Sequence, residues 1–194
     1  MTHDDVPVVG GIVLAAGAGS RFGGTKQLAE LRGRPLLSYA VESILSVPAV
    51  WPVVVVLGHD ADAIRASVPF HDAKIVTCGR WRDGQSESLR AGIAALGDVD
   101  AAVVVLGDQP FITPQVIAGT LDFDDHYHDA VRATYRGEPG HPVLLTRRLL
   151  ERAGDLRGDV GFRDLLTGQR VRRFEAGHLC NPLDIDTEEE LARL

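Results

Sequence analysis

Lysine is nearly missing from this chain. Only Lys26 and Lys74 stand among its 20 basic residues. Where arginine is the default cation, a lysine offers a compact point charge instead of a planar fork. Cysteine is as rare. Cys78 and Cys180 lack metal-ligand spacing, and two unpaired thiols fit a cytosolic protein, so a cytoplasmic location is expected. No apolar run reaches the roughly 18 to 20 residues that a membrane span needs. The opening MTHDDVP has no basic stretch of the kind that begins a signal peptide. Positive charge is short overall, with a net of −7, which excludes broad nucleic-acid binding. A small anionic ligand stays open, because local donors decide its binding.

What is there is 194 residues, 45% hydrophobic and 24% charged. That is enough for a full core in a single domain spanning 1–194. Strand-like and helix-like patterns alternate. A continuous apolar run at Val8 to Ala15 predicts a buried parallel strand, and Trp51 to Gly58, Ala73 to Cys78 and Ala101 to Leu106 read as further strands. Helical patterns follow at Pro35 to Val47, His59 to Val68 with Asp60 as cap, Gln85 to Leu96, and after Thr113-Pro114.

Further on, Asp129 to Tyr135 and Pro142 to Leu145 read as strands split by RGEPGH. Arg147 to Ala153 and Phe162 to Leu166 read as short helices, and Val171 to Phe174 as a late edge strand. Thr187 to Leu194 reads as a helix, with Thr187 and Glu190 in capping-box spacing. The alternation predicts an α/β fold with a mostly parallel central sheet and helices on both faces. Ligands of such folds sit at the carboxyl ends of strands. The loops after Ala15, Cys78, Leu106 and Leu145 are therefore expected to crowd one edge.

The first of these loops is LAAGAGSRFGGTK, Leu14 to Lys26. Its glycines let backbone N–H groups approach a ligand, and successive amides make an anion-binding nest. Arg21 and Lys26 add charge, so phosphate is the expected ligand. The P-loop pattern is absent, and Phe22 stands where a dinucleotide motif needs its third glycine. In LGDQP, Asp108 leaves an apolar strand. It suits Mg²⁺, which takes one or two carboxylates plus phosphate oxygens, and equally a simple turn. Asp184 and Asp186 alternate around Ile185, and periodicity does not choose between them as a second ligand. Ser86 suits capping the helix that starts beside it. His126 and His128 read as a solvated loop.

LAAGAGSRFGGTKQL, GDQP, GHPVLL with GDVGFRDLL, and DIDTEEEL, in this order, resemble the MobA-like nucleotidyltransferases of molybdenum-cofactor biosynthesis. Within them the pattern is most similar to the molybdenum cofactor cytidylyltransferase group, and the resemblance covers essentially the whole chain. It implies a three-layer Rossmann-like fold with a nucleotide-binding half at about 8–110 and an acceptor-binding half at about 111–194.

It also implies roles. Leu14, Ala15, Ala16, Gly17, Gly19 and Ser20 would line the nucleotide, with Gln85, Ser86 and Ser88 near its base and ribose. Arg21 and Lys26 would contact phosphates and, with Asp108, carry catalysis. Asp108 and Asp186 would hold Mg²⁺. His141, Pro142, Asp159 and Arg163 would face the second substrate. The implied reaction moves CMP from CTP, favoured over GTP, onto a phosphorylated pterin cofactor, with a molybdoenzyme or chaperone as partner. Two rival readings are an NAD(P)H-dependent oxidoreductase of the nicotine blue oxidoreductase type and a non-catalytic accessory module for a molybdoenzyme.

Overall fold

The computed structural model describes residues 6–123, 125–153 and 162–194. The first four expected strands become β1 (Val9–Ala15), β4 (Val50–Leu57), β5 (Lys74–Thr77) and β6 (Ala101–Leu106). The later strands are β7 (Ala130–Tyr135), β8 (Glu138–Thr146) and β9 (Val171–Glu175). They form one sheet in the order β5-β4-β1-β6-β8-β7-β9. β1, β4, β5 and β6 are parallel. β8 runs antiparallel to both of its neighbours, and β9 lies parallel to β7 at the edge.

The central strands β1, β4 and β6 are apolar almost throughout because both of their faces are covered. Val13, Val53 and Val55 pack with Leu37, Val41 and Ile44 of α1 (Leu36–Leu45), Ile64 of α2 (Ala61–Ser67) and Val116 and Ile117 of α4 (Pro114–Thr120). Ile12, Val54 and Val56 point the other way. They pack with Leu89 and Leu96 of α3 (Gln85–Leu96), Leu149 of α5 (Arg147–Ala153) and Leu165 of α6 (Phe162–Leu166). This is the expected α/β architecture, a mostly parallel sheet with helices on each side.

Several local expectations are corrected. Leu145 pairs with Ala102 near the start of β6. Because β8 is reversed, its exit lies at the end of the sheet opposite Leu106, and its early residues, around His141, lie toward the Leu106 end. RGEPGH does not split the two strands. Only Arg136-Gly137 turns, with φ of 55° and 86°, and Glu138 onward is already strand. Asp60 stands before α2 but does not cap it. Its carboxylate instead accepts from the Thr25 hydroxyl. Ser86 does not cap α3, whose cap position is Gly84.

The caps at Thr113 and Thr187 form as expected, the latter as a reciprocal box with Glu190 opening α7 (Glu188–Leu191). A small hairpin, β2 (Glu30–Leu31) and β3 (Arg34–Pro35), went unanticipated. Arg32-Gly33 at its tip are both left-handed, at 52° and 77°, as primed turns require.

Candidate active site

β1 ends at Ala15, and residues 16–24 then cross the carboxyl edge of the sheet as a loop with few side chains to hold it. Three anchors fix it. Phe22 is buried with Leu31, Leu36 and Ile185, and its N–H donates to the Gly19 carbonyl at 2.7 Å. Gly19 has φ of 59°, a conformation that favours glycine, and a Cβ there would also press on Lys26 Cβ at 3.0 Å. Gln27 is the third anchor. Its buried amide donates to the carbonyls of Ala15 and Gly17 at 3.0 and 2.8 Å. Sequence reasoning missed Gln27. Its only signal was adjacency to the rare lysine.

No full helix follows this loop. A single 3-10 turn, Lys26–Leu28, swings the lysine inward until it is 8% exposed. Its Nζ donates to Asp108 Oδ2 at 2.7 Å and to Asp186 Oδ1 at 3.1 Å. Arg21 reaches Asp186 Oδ2 at 2.8 Å. Four sequence-predicted residues, Arg21, Lys26, Asp108 and Asp186, thus form one charge cluster.

Asp108 is carried in by the exit of β6, and Asp186 by an extended segment docked on that exit. The Ile185 N–H donates to the Asp108 carbonyl at 3.2 Å, and the Ile185 side chain is fully buried. Glu190 accepts from the Asp186 N–H at 2.7 Å. Asp184 turns elsewhere, to the amide of Gln109 at 2.8 Å. The geometry therefore distinguishes two aspartates that periodicity left equal.

Burial alone would pull the Lys26 ammonium down. Asp108 and Asp186 outweigh it and hold the group above the ordinary lysine value, so it stays charged. Asp184 moves upward, first because it is buried and then because Asp108 lies close. Two carboxylates meeting at one cation suit a hard dication that draws its remaining ligands from phosphate oxygens and water. Among the described residues, no three His, Cys, Asp or Glu side chains gather as a closed metal centre.

A cleft of about 520 Å³ opens beside the cluster, lined by Leu14, Ala16, Gly17, Ser20 and Asp108 together with Gln85 and Ser88. A smaller cavity of about 90 Å³ continues to Ala15, Gly19, Lys26 and Gln27. Trp81 and Arg82 also line the larger cleft, which the sequence had not marked. Ser86 is 1% exposed and faces the interior.

His141 and Pro142 are buried on β8. Burial, with Arg132 nearby, takes the His141 imidazole down to about 3. The Tyr135 hydroxyl donates to the His141 carbonyl at 2.6 Å. Asp159 and the side chain of Arg163 lie outside the described residues. No helix among the described residues is long and apolar enough to cross a membrane.

Comparison with known proteins matches this geometry. Residues 11–174 match the MobA-like NTP transferase domain. Nicotine blue oxidoreductase of Paenarthrobacter nicotinovorans is 33% identical and aligned over the full length of both chains. The bifunctional protein GlmU of Sorangium cellulosum is 29% identical over 82% of this chain, which spans only 35% of that longer protein.

Among solved structures, Rv0371c of Mycobacterium tuberculosis H37Rv superposes with a TM-score of 0.85 at 26% identity, covering 97% of this chain and 98% of its own. A manganese complex of Rv0371c superposes at 0.79 with 27% identity, covering 96% and 97%. With the Gly-rich loop, the lysine and the sheet order in place, the chain belongs to the MobA-like NTP transferase family.

Proposed function

We propose that this protein transfers a nucleoside monophosphate, CMP from CTP, onto a phosphorylated molybdopterin-type cofactor and releases pyrophosphate. The observation that carries the reading is one ammonium, Lys26, shared by Asp108 and Asp186 at the lip of a loop with few side chains. The CTP and pterin assignments are supported by the GDQP and GHPVLL motifs and their resemblance to the cytidylyltransferase group.

The reaction brings two anions together, so alignment and charge compensation are the main tasks. Amides of the loop at Gly17 to Gly19 direct the triphosphate, while Lys26 and Arg21 neutralise its oxygens. Gln85 and Ser88, which line the same cleft, supply donors and acceptors for the base. An acceptor phosphate oxygen bonds to the α-phosphorus as the bond to pyrophosphate breaks in line. The acceptor phosphate is already ionised, so no general base is needed. Asp108 and Asp186 would hold Mg²⁺, which when bound supplies positive charge to phosphate oxygens. The acceptor lies toward the 111–194 half. His141 there stays neutral and offers hydrogen bonds, not charge.

A second reading, an NAD(P)H-dependent oxidoreductase, is favoured by one observation, the 33% identity to nicotine blue oxidoreductase along the whole chain. It has no use for a lysine shared by two carboxylates. A thermal-shift panel separates the two, since a ligand bound to the native state raises its melting temperature. CTP, GTP, ATP, NADH and NADPH are each tested with and without Mg²⁺ or Mn²⁺. Stabilisation by CTP that requires the cation is expected. Stabilisation by NADPH alone, indifferent to metal, rejects the transferase. Pyrophosphate release with a phosphorylated pterin then tests the acceptor, and nucleotide binding without turnover would leave an accessory module.

A further inference from the structure

We propose that Lys26 and Arg21 compete with the divalent cation for the carboxylates of Asp108 and Asp186, so that metal and nucleotide bind weakly alone and tightly together. The inference rests on the nucleotidyltransferase reading above and concerns how its site is filled.

Three of the four carboxylate oxygens are already held by cations of the chain. Lys26 takes Asp108 Oδ2 and Asp186 Oδ1 at 2.7 and 3.1 Å, and Arg21 takes Asp186 Oδ2 at 2.8 Å. Two positive side chains balance two negative ones. A dication must take those oxygens from N–H donors. A triphosphate must take the same donors from the carboxylates.

Each exchange made alone strands charge. Metal alone leaves the Lys26 ammonium, whose side chain is 10% exposed, beside a dication with no anion of its own. Triphosphate alone draws the cations off two close carboxylates, with Asp184 nearby as a third. Made together, the exchanges are compatible, because the carboxylates turn to the metal and the cations to the phosphates. The coupling is a free energy between two ligands and is therefore reciprocal. Lys26 carries most of it. Arg21 makes a single bond from a side chain that is 74% exposed, where ion pairs contribute little.

The test needs no turnover. Mn²⁺ binding is measured by electron paramagnetic resonance without nucleotide. Lys26→Met is expected to bind Mn²⁺ about tenfold tighter than the unmodified protein, because two carboxylates lose their main counter-ion. Arg21→Ala is expected to gain about two- to threefold, the scale of an exposed pair. Calorimetry with CTP in EDTA gives the mirror image. Asp186→Asn, which frees Arg21 and leaves Lys26 only its bond to Asp108, is expected to bind metal-free CTP several-fold tighter, on the order expected for freed charged donors, although it binds Mn²⁺ more weakly.

Unchanged or weaker Mn²⁺ binding by Lys26→Met and Arg21→Ala would overturn the competition, as would weaker metal-free CTP binding by Asp186→Asn. Arg21 is exposed, so its variant stays informative if Lys26→Met folds poorly. A melting temperature of the unmodified protein that does not rise with Mn²⁺ and CTP together removes the nucleotidyltransferase reading along with the proposal. A rise, with single-ligand affinities unmoved in the variants, removes only the competition.

Discussion

A Cβ at Gly58 would stand 2.5 Å from the carbonyl oxygen of Ala16. The exit of β4 is thus packed directly against the first turn of the Gly-rich loop, and the His59 N–H donates to that same carbonyl at 3.1 Å. The other neighbour of that Cβ is Trp81, at 2.7 Å, which lines the cleft. Gly58→Ala must push one of the two aside. Overpacking of this kind costs about 1–3 kcal/mol. A urea melt should show the loss, and KM for the nucleoside triphosphate should rise more than KM for the acceptor. A KM change confined to the acceptor would place the loop away from the nucleotide.

Gln27→Leu keeps the volume and removes the two donors to Ala15 and Gly17. Two carbonyls lose a buried partner, worth about 1–3 kcal/mol. The loop that aims its amides should lose definition, so turnover falls while the sheet stays intact by circular dichroism. Equal turnover in this variant would show that the loop holds its shape without the clamp.

Lys26→Ala should lower pyrophosphate release by orders of magnitude with a folded protein. The pair is partly exposed on the carboxylate side, so the stability loss should stay near 1–2 kcal/mol. Lys26→Arg should not restore activity, because a planar fork does not fit where a point charge meets two carboxylates. Full activity in the arginine variant would mean that charge alone suffices.

Asp108→Asn should lose turnover together with its dependence on Mg²⁺ concentration. The amide keeps the shape but not the charge that a hard cation needs. A Mg²⁺ titration indistinguishable from the unmodified protein's would move the metal elsewhere.

Two buried groups set the response to acid, in different windows. The His141 imidazole lies at about 3 against an ordinary 6.5, held down by burial and then by Arg132. It takes a proton in the unfolded chain well before it does so in the fold. Its contribution is therefore fully present above pH 6.5 and drains away as the pH falls toward 3. Asp129 is held at about 2 against 3.8, chiefly by hydrogen bonds from Arg170. Its contribution is complete above pH 4 and is lost only toward pH 2. Melting temperature against pH should thus slope between 6.5 and 4 because of His141. His141→Gln should flatten that limb, and Asp129→Asn should instead lower stability at pH 7. An unchanged slope in His141→Gln would assign the limb to other groups.

β1, β4 and β6 were legible because burial on both faces leaves an uninterrupted apolar run, as in VVVVL and AAVVVL. The reversal of β8 was not legible. Nothing in Pro142 to Leu145 encodes direction, and the turn that reverses the chain is only Arg136-Gly137. The charges of the site could be read from the chain as types. That they meet at one ammonium could not, because this depends on Ile185 docking against the Asp108 carbonyl far away in sequence. Gln27 was invisible for a related reason. A glutamine gives no pattern until the carbonyls it clamps are folded around it.

The Lys26–Asp186 bond joins residues 160 positions apart. Contacts of such span form late, since the intervening chain must first be ordered. A growing polypeptide can therefore lay down β1, its loop and the lysine, and pair the early strands, well before the second carboxylate has been synthesised. Assembly of the charge cluster reports that the segment carrying Asp184 to Asp186 has been made and docked. Until then the lysine has only one of its two partners.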